Sequence, residues 1–385
     1  MKTLNLICAA GLAQLVSLNS ASAQIWKLSN LSSATWASVA ASADGVKLVA
    51  VAGSGQIYTS TNAGATWITN MVLASTWTGV ASSADGSRLV AINNSGGVYT
   101  NSGISWNPSF SLTSPFPANW QCVAASADGS NLVVAGIQLT SGLIYYSTNA
   151  GASWAKAIAG NVNLKTIAFA GNGPNLFAAG STLITSTNAG ASWATVNNAP
   201  TIDHLVCSTN GLKLTGFTTT GNSPIYTSTN AGTSWITNLV GQTSAWTALA
   251  NAADGTKLVA TTASTGIYHS ADAGAHWLLG DAGGFPWTSV ASSADGTALV
   301  ATAPGFIFIG QTPLPVLSLA LTGTNASVFW TTNVAGYGLY LAYKTNLTNS
   351  AWQLVAPTPV VTNNLYRITL PATNSQIFFR LENAI

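Results

Sequence analysis

The ionisable residues of this chain are few enough to test one by one for chemistry: nine acidic side chains, eleven Lys and Arg, three His and three Cys in 385 residues. Asp281 and Asp203 could serve as paired carboxylates for glycosidic cleavage, one protonating the leaving oxygen while the other attacks or activates water. His204 beside Asp203 could be a general base with its orienting acid, although adjacent side chains on a strand point to opposite faces. Cys122 and Cys207 lie in apolar, strand-like runs and are expected as buried free thiols. Glu382, the only glutamate, stands near the C-terminus. No cluster has metal-ligand spacing and no phosphate-cradling loop is present, so neither a metal nor a cofactor is expected.

The other aspartates belong to a repeat. Trp36-Ala-Ser-Val-Ala-Ala-Ser-Ala-Asp44-Gly45 returns as Trp77…Asp85-Gly86, Trp120…Asp128-Gly129, Trp246…Asp254-Gly255 and Trp287…Asp295-Gly296, with weaker copies at Leu164…Asn172-Gly173 and Ile202…Asn210-Gly211. The seven starts run from 36 to 287, a mean step of about 42 residues, within the roughly 40–50 of a propeller blade. Each unit reads as four short strands rich in Val, Ile, Tyr and Thr. Asp-Gly or Asn-Gly supplies a tight turn between the first two.

The second turn of each unit resembles the Asp-box, Ser-x-Asp-x-Gly-x-x-Trp. Copies stand at Ser60–Trp67, Ser147–Trp154, Ser186–Trp193, Ser228–Trp235 and Ser270–Trp277, and a shortened one ends at Trp106. Asn62, Asn149, Asn188, Asn230 and Asp272 are expected to accept backbone N–H bonds inside the turn. Gly64, Gly151, Gly190, Gly232 and Gly274 take the left-handed position. Trp67, Trp154, Trp193, Trp235 and Trp277 pack as apolar plugs. This is a structural signal, since such boxes usually lie away from the binding face.

The seventh copy lacks its fourth strand, while Trp26 to Trp36 matches the ten-residue spacing of Trp67 to Trp77. The N-terminal strand is therefore expected to complete the last blade and close the ring, leaving no long unpaired edge. The expected fold is all-β, a seven-bladed propeller over residues 24–311. A stiff linker (312–315) and an Ig- or fibronectin-like sandwich (316–385) follow, with Trp330, Tyr337 and Trp352 in its core. Residues 1–23 read as an export signal: Met1-Lys2, an apolar run from Leu4 to Leu18, and a small-residue cleavage site ending at Ala23. The apolar run is too short to span a bilayer. The expected location is extracellular or periplasmic, secreted or held at the cell envelope.

Residues 24–311 resemble the photosystem II assembly and stability factor family and its secreted bacterial relatives, and Asp-box propellers also include sialidases and xyloglucan-cleaving glycosidases. The sialidase resemblance implies a ring of arginines gripping a carboxylate, whereas this stretch has one arginine, Arg88. The assembly-factor resemblance implies a basic patch, which is also missing. For a glycosidase, Asp203 and Asp281 lie on connections two steps apart around the ring. A channel rim of about 7–10 Å radius puts them roughly 11–15 Å apart, beyond the roughly 5–9.5 Å that such pairs need.

Charged residues make up 5% of the chain and the formal net charge is +2, which offers no electrostatic footprint for nucleic acid or an anionic membrane. The expected function is a secreted, non-enzymatic, monomeric propeller that binds an extracellular protein or polysaccharide. Its binding loops are those opposite the boxes, where Phe116, Phe285, Asp281 and His204 stand. Exposed aromatics among small polar groups can stack on sugar or grip a peptide; alternatively these rings pack between blades. The remaining alternatives are a polysaccharide hydrolase and a purely structural envelope or adhesion protein.

Overall fold

The computed structural model describes residues 6–7, 25–31, 34–103, 105–111, 118–157, 162–221, 223–240, 245–280, 283–311, 318–322, 325–331, 339–344, 353–355, 359–362, 365–371 and 378–383. Two compact units form, one from Ala23–Thr312 and the other from Met1–Ser22 with Pro313–Ile385. Among the described residues every regular element is a strand, and no helix is long and apolar enough to cross a membrane.

The larger unit holds seven four-stranded antiparallel sheets among its described residues. In the first, Trp36–Ala41, Leu48–Ala52, Gly55–Ser60 and Ile68–Ser75 pair in chain order. The second strand, Leu-Val-Ala-Val-Ala, is buried along its whole length. Neighbouring sheets cover both of its faces, so its sequence is a continuous apolar run and not an alternating one. The third strand buries Ile57 and Ser60 and leaves Tyr58 and Thr59 half-exposed. Five further sheets repeat this order. The seventh draws strands from both ends of the unit: Ile25–Leu28 pairs with Phe306–Gln311, which pairs with Ala298–Ala303 and then Ser289–Ser292. Trp26 lies opposite Gly310, where a Cβ would sit 2.9 Å from the indole.

Neighbouring sheets are joined by two devices that recur. Trp36, Trp77, Trp120, Trp246 and Trp287 stand at or beside the starts of the first strands and are at most 2% exposed. A bulge follows the first four of them, which re-aims the strand without ending its ladder. The second device is a chain of backbone hydrogen bonds between the Asp-Gly turns. Ala43 N–H donates to Ala84 O (2.6 Å), Ala84 to Ala127 (2.7 Å), Ala127 to Gly171 (3.2 Å), Thr209 to Ala253 (2.8 Å) and Ala253 to Ala294 (2.7 Å). Ala294 then donates to Ala43 O at 2.7 Å, so the last turn is tied to the first. Gly171 has φ +59°, and a Cβ there would stand 2.9 Å from Thr209 O; this seam requires glycine.

Three of the basic side chains act as straps across the same seams. The Lys47 stem lies over Gly86 and its Nζ donates to Asp85 O at 2.9 Å. Lys257 does the same over Gly296, reaching Asp295 O at 2.8 Å. Arg88 crosses Gly129 and reaches Asp128 O at 3.4 Å.

In the smaller unit two four-stranded sheets are described. One orders Leu6–Ile7, Phe378–Asn383, Leu339–Lys344 and Gln353–Leu354; the other orders Ser318–Thr322, Asn325–Thr331, Leu365–Pro371 and Val360–Thr362. Val328, Trp330, Leu341 and Ile368 are buried, with Trp330 stacked on Tyr366. Tyr337, Trp352, the expected linker 312–315 and the expected cleavage site at Ala23 lie outside the described residues.

Trp77 is 1% exposed, and its Nε1 donates to Gly55 O of the preceding sheet at 3.0 Å. Trp77→Ala is expected to lower unfolding stability by about 3–5 kcal/mol, read as a drop in the urea midpoint of the intact chain.

Candidate functional site

The Ser–Asn–Gly–Trp turns are closed systems of hydrogen bonds. In the first, Asn62 Oδ1 accepts from Thr66 N (2.9 Å) and Ser60 Oγ (3.0 Å), and Ser60 Oγ accepts from Gly64 N (2.9 Å). Asn149, Asn188, Asn230 and Asp272 repeat these contacts. The glycines have positive φ, and a Cβ on Gly64 would stand 2.4 Å from Ile309 of the neighbouring sheet. One feature was not legible from residue type: Ala63, Ala150, Ala189, Ala231 and Ala273 are also left-handed, with φ between 52° and 59°. Each costs about 1–2 kcal/mol in isolation, which the surrounding bonds offset. Trp193, Trp235 and Trp277 donate through Nε1 to their own turn's glycine carbonyl. Apart from the Trp67 indole N–H, which is buried without a partner, these polar groups are satisfied within the turns and have little left for a ligand.

At the other end of the sheets stand the residues expected to bind or catalyse. Asp203 is buried; its carboxylate accepts from Lys165 Nζ at 2.8 Å and from the N–H and hydroxyl of Thr219 at 2.9 and 2.8 Å. Burial pushes this carboxyl up, but Lys165 and Thr219 outweigh it and hold it below the ordinary carboxylate range. Asp203 is therefore a fixed, ionised partner with its lone pairs occupied, and it joins two sheets instead of facing a substrate. The His204 ring stacks on Phe217 with centroids 5.2 Å apart. Burial pushes its pKa down to about 4, so it is neutral at pH 7.

Phe285 is half-buried and contacts Trp287, Phe308 and Phe306 with ring centroids 5.5, 5.0 and 5.9 Å away. It forms the rim of the core between sheets, which is the packing alternative for this residue. Asp281 and Phe116 lie outside the described residues. Cys122 and Cys207 are free thiols that burial pushes up to about 12, which removes them as nucleophiles at neutral pH. Among the described residues no group of three or more His, Cys, Asp or Glu could hold a metal.

All seven described aspartates of the larger unit have lowered pKa values. Asp44, Asp85 and Asp128 are held down first by serine hydroxyls, Ser42, Ser83 and Ser126. Asp254 and Asp272 are held down first by backbone N–H groups, those of Thr256 and His276. At Asp295 burial opposes, and the bonds from Ser293 and Thr297 prevail. A general acid needs the opposite shift.

No family model and no curated protein matches this chain. Solved structures do match. YCF48 from Cyanidioschyzon merolae aligns over 75% of this chain and 98% of its own at 14% identity, with a TM-score of 0.57. YCF48 bound to D1 peptide aligns over 78% and 100% at 15% identity, TM-score 0.58. The GH74 xyloglucanase from Xanthomonas campestris aligns over 80% of this chain at 16% identity, TM-score 0.57, and the match spans 60% of that enzyme. The fold is a β-propeller. At these identities the likeness is one of fold and carries no residue roles across.

The Asp272 carboxyl lies at about 2, held there by the backbone N–H and ring of His276. A folded-state value below the unfolded one, about 3.9, gives stability that is present above pH 4 and lost as pH falls through 2. The urea midpoint should decline over that window. Asp272→Asn should fold normally, because four sister turns already carry Asn, and should show a shallower decline.

Proposed function

We propose that residues 24–311 form a seven-bladed Asp-box propeller closed by its N-terminal strand, and that it works as an exported, non-enzymatic, monomeric binding module for an extracellular protein or polysaccharide. In this reading residues 1–23 are an export signal removed at Ala23, and 316–385 form an accessory sandwich after the 312–315 linker. The observation that carries the proposal is the state of the carboxylates: each described aspartate in the propeller is ionised and bound within a turn or an ion pair. The pairing of Ile25–Leu28 with Phe306–Gln311 and the hydrogen bond from Ala294 to Ala43 support closure. A propeller of the same fold, YCF48, has been seen with a peptide bound, which supports a protein ligand. We place the contact on the loop residues Phe116 and Asp281 and the half-exposed Phe285, with His204 at the start of the adjoining strand.

A hydrolase is the second reading. It rests on the likeness to the GH74 enzyme, with Asp281 as its candidate carboxylate.

The purified protein should be screened for binding to a glycan array and a peptide library, and for sugar release from the same polysaccharides. Binding without release is expected, weakened by Phe116→Ala. Sugar release that disappears in Asp281→Asn would overturn the proposal in favour of the hydrolase.

A further inference from the structure

One seam between sheets differs from the others. The register that pairs Leu48 with Ser60 also pairs Leu89 with Asn101, so Asn101 stands where the other turns have serine. From Asn101 to Trp106 the chain advances five residues, against seven from Ser60 to Trp67. This turn is two residues short. The box that faces it is altered as well: Trp154 Nε1 donates to Ser109 Oγ of the second sheet at 2.9 Å, and Ser109 donates to Gly151 O at 2.6 Å. In three of the other boxes the indole bonds its own turn, and in the first Trp67 Nε1 is buried without a partner. Between the short turn and Ala150–Ala152 lies a cavity of about 430 Å³, within the roughly 300–1,000 Å³ of small-molecule sites.

Arg88 lines this cavity together with Asn101, Ser102 and Asn107, and with Pro108 and Leu132 as apolar wall. The guanidinium uses one nitrogen, Nη1, on Asp128 O at 3.4 Å, a longer contact than its lysine counterparts make. Among the described residues it enters no ion pair. The nearby carboxylates are already occupied, Asp85 by Ser83 and Ser87 and Asp128 by Ser126 and Ser130. The cavity thus offers a guanidinium with N–H donors to spare, the Ser102 hydroxyl, and the amides of Asn101 and Asn107, whose Oδ1 and Nδ2 respectively already bond their own turn. A single cation balances a single negative charge, and the guanidinium fork matches a carboxylate. The amides and hydroxyl suit vicinal hydroxyl groups, and the apolar wall suits the C–H face of a pyranose.

We propose that this cavity binds a monoanionic sugar, a uronic acid residue, with its carboxylate on Arg88. The site is at the end of the sheets that carries the Ser–Asn–Gly–Trp turns, opposite Asp203 and Phe285, and does not depend on the loop-face function proposed above.

The test is calorimetric and NMR titration of the intact protein with D-glucuronate and D-galacturonate, with D-glucose, D-galactose and acetate as controls. At least one uronate should bind, with its neutral counterpart and acetate each weaker by roughly ten-fold or more, the size of a lost charge-assisted hydrogen bond. Arg88→Gln should weaken the uronate by a similar factor. Ala152→Trp, at an exposed position on the cavity wall, should abolish binding while a normal urea midpoint reports an intact fold. The proposal is overturned if neither uronate binds, if the neutral sugar or acetate binds as well, or if uronate binding survives Arg88→Gln or a folded Ala152→Trp.

Discussion

The structure depends on backbone hydrogen bonds that leave one sheet and end in the next. A chain with 5% charged residues has little ionic or repulsive means of fixing how its sheets meet. The contact between Ala43 N–H and Ala84 O, and its successors around the unit, supplies that register directly. Such bonds need the turn backbone at one height and angle. The Ser42–Asp44 pair and the left-handed Gly45 set both, with Lys47 N–H returning to Ser42 Oγ. Buried tryptophans then fill the wedge that the turns have spaced. Each part presupposes the others, which is the consistency between local and global preference that marks a foldable sequence.

Charge is used sparingly and mostly for architecture. Lys47 and Lys257 are spent on carbonyl oxygens of the following turn, Lys165 on Asp203, and the aspartates on hydroxyl and N–H donors. The same economy that removes candidates for acid–base chemistry makes a guanidinium with N–H groups to spare conspicuous. Arg88 occupies the strap position of Lys47, yet its remaining N–H groups border open volume.

The fold was legible because the signals that set it are local and repeated. Trp followed eight residues later by Asp-Gly marks strand, turn and strand within one short window, and seven copies average out the irregular ones. The pairing of Ile25–Leu28 with the last sheet was legible for the same reason, since a three-strand remainder at one end matched a one-strand surplus at the other. Contacts between repeats left no such mark. Nothing in the neighbourhood of Asp203 points to Lys165, 38 residues earlier, and the cavity beside Arg88 exists only where the second and third sheets meet. The shortened turn at Asn101–Trp106 was visible as an irregular copy; the space it leaves needed coordinates. The positive φ of Ala63 and its equivalents was hidden because alanine does not advertise that conformation as glycine does.

The seventh sheet is made from residues 25–28 and 289–311, so its two halves are separated by nearly the whole length of the unit. During synthesis six sheets can assemble in order behind the ribosome, but the first strand has no partner until the last has emerged. The pairing of Ile25–Leu28 with Phe306–Gln311 is then a long-range event late in folding, with the large loop entropy that slows non-local β pairing. An open, six-sheet intermediate exposes the flank of the Trp36–Ala41 strand and its tryptophan to whatever is near. A chain of this design is held unfinished until its last strand arrives, which is the condition that any translocating or chaperoning machinery would meet.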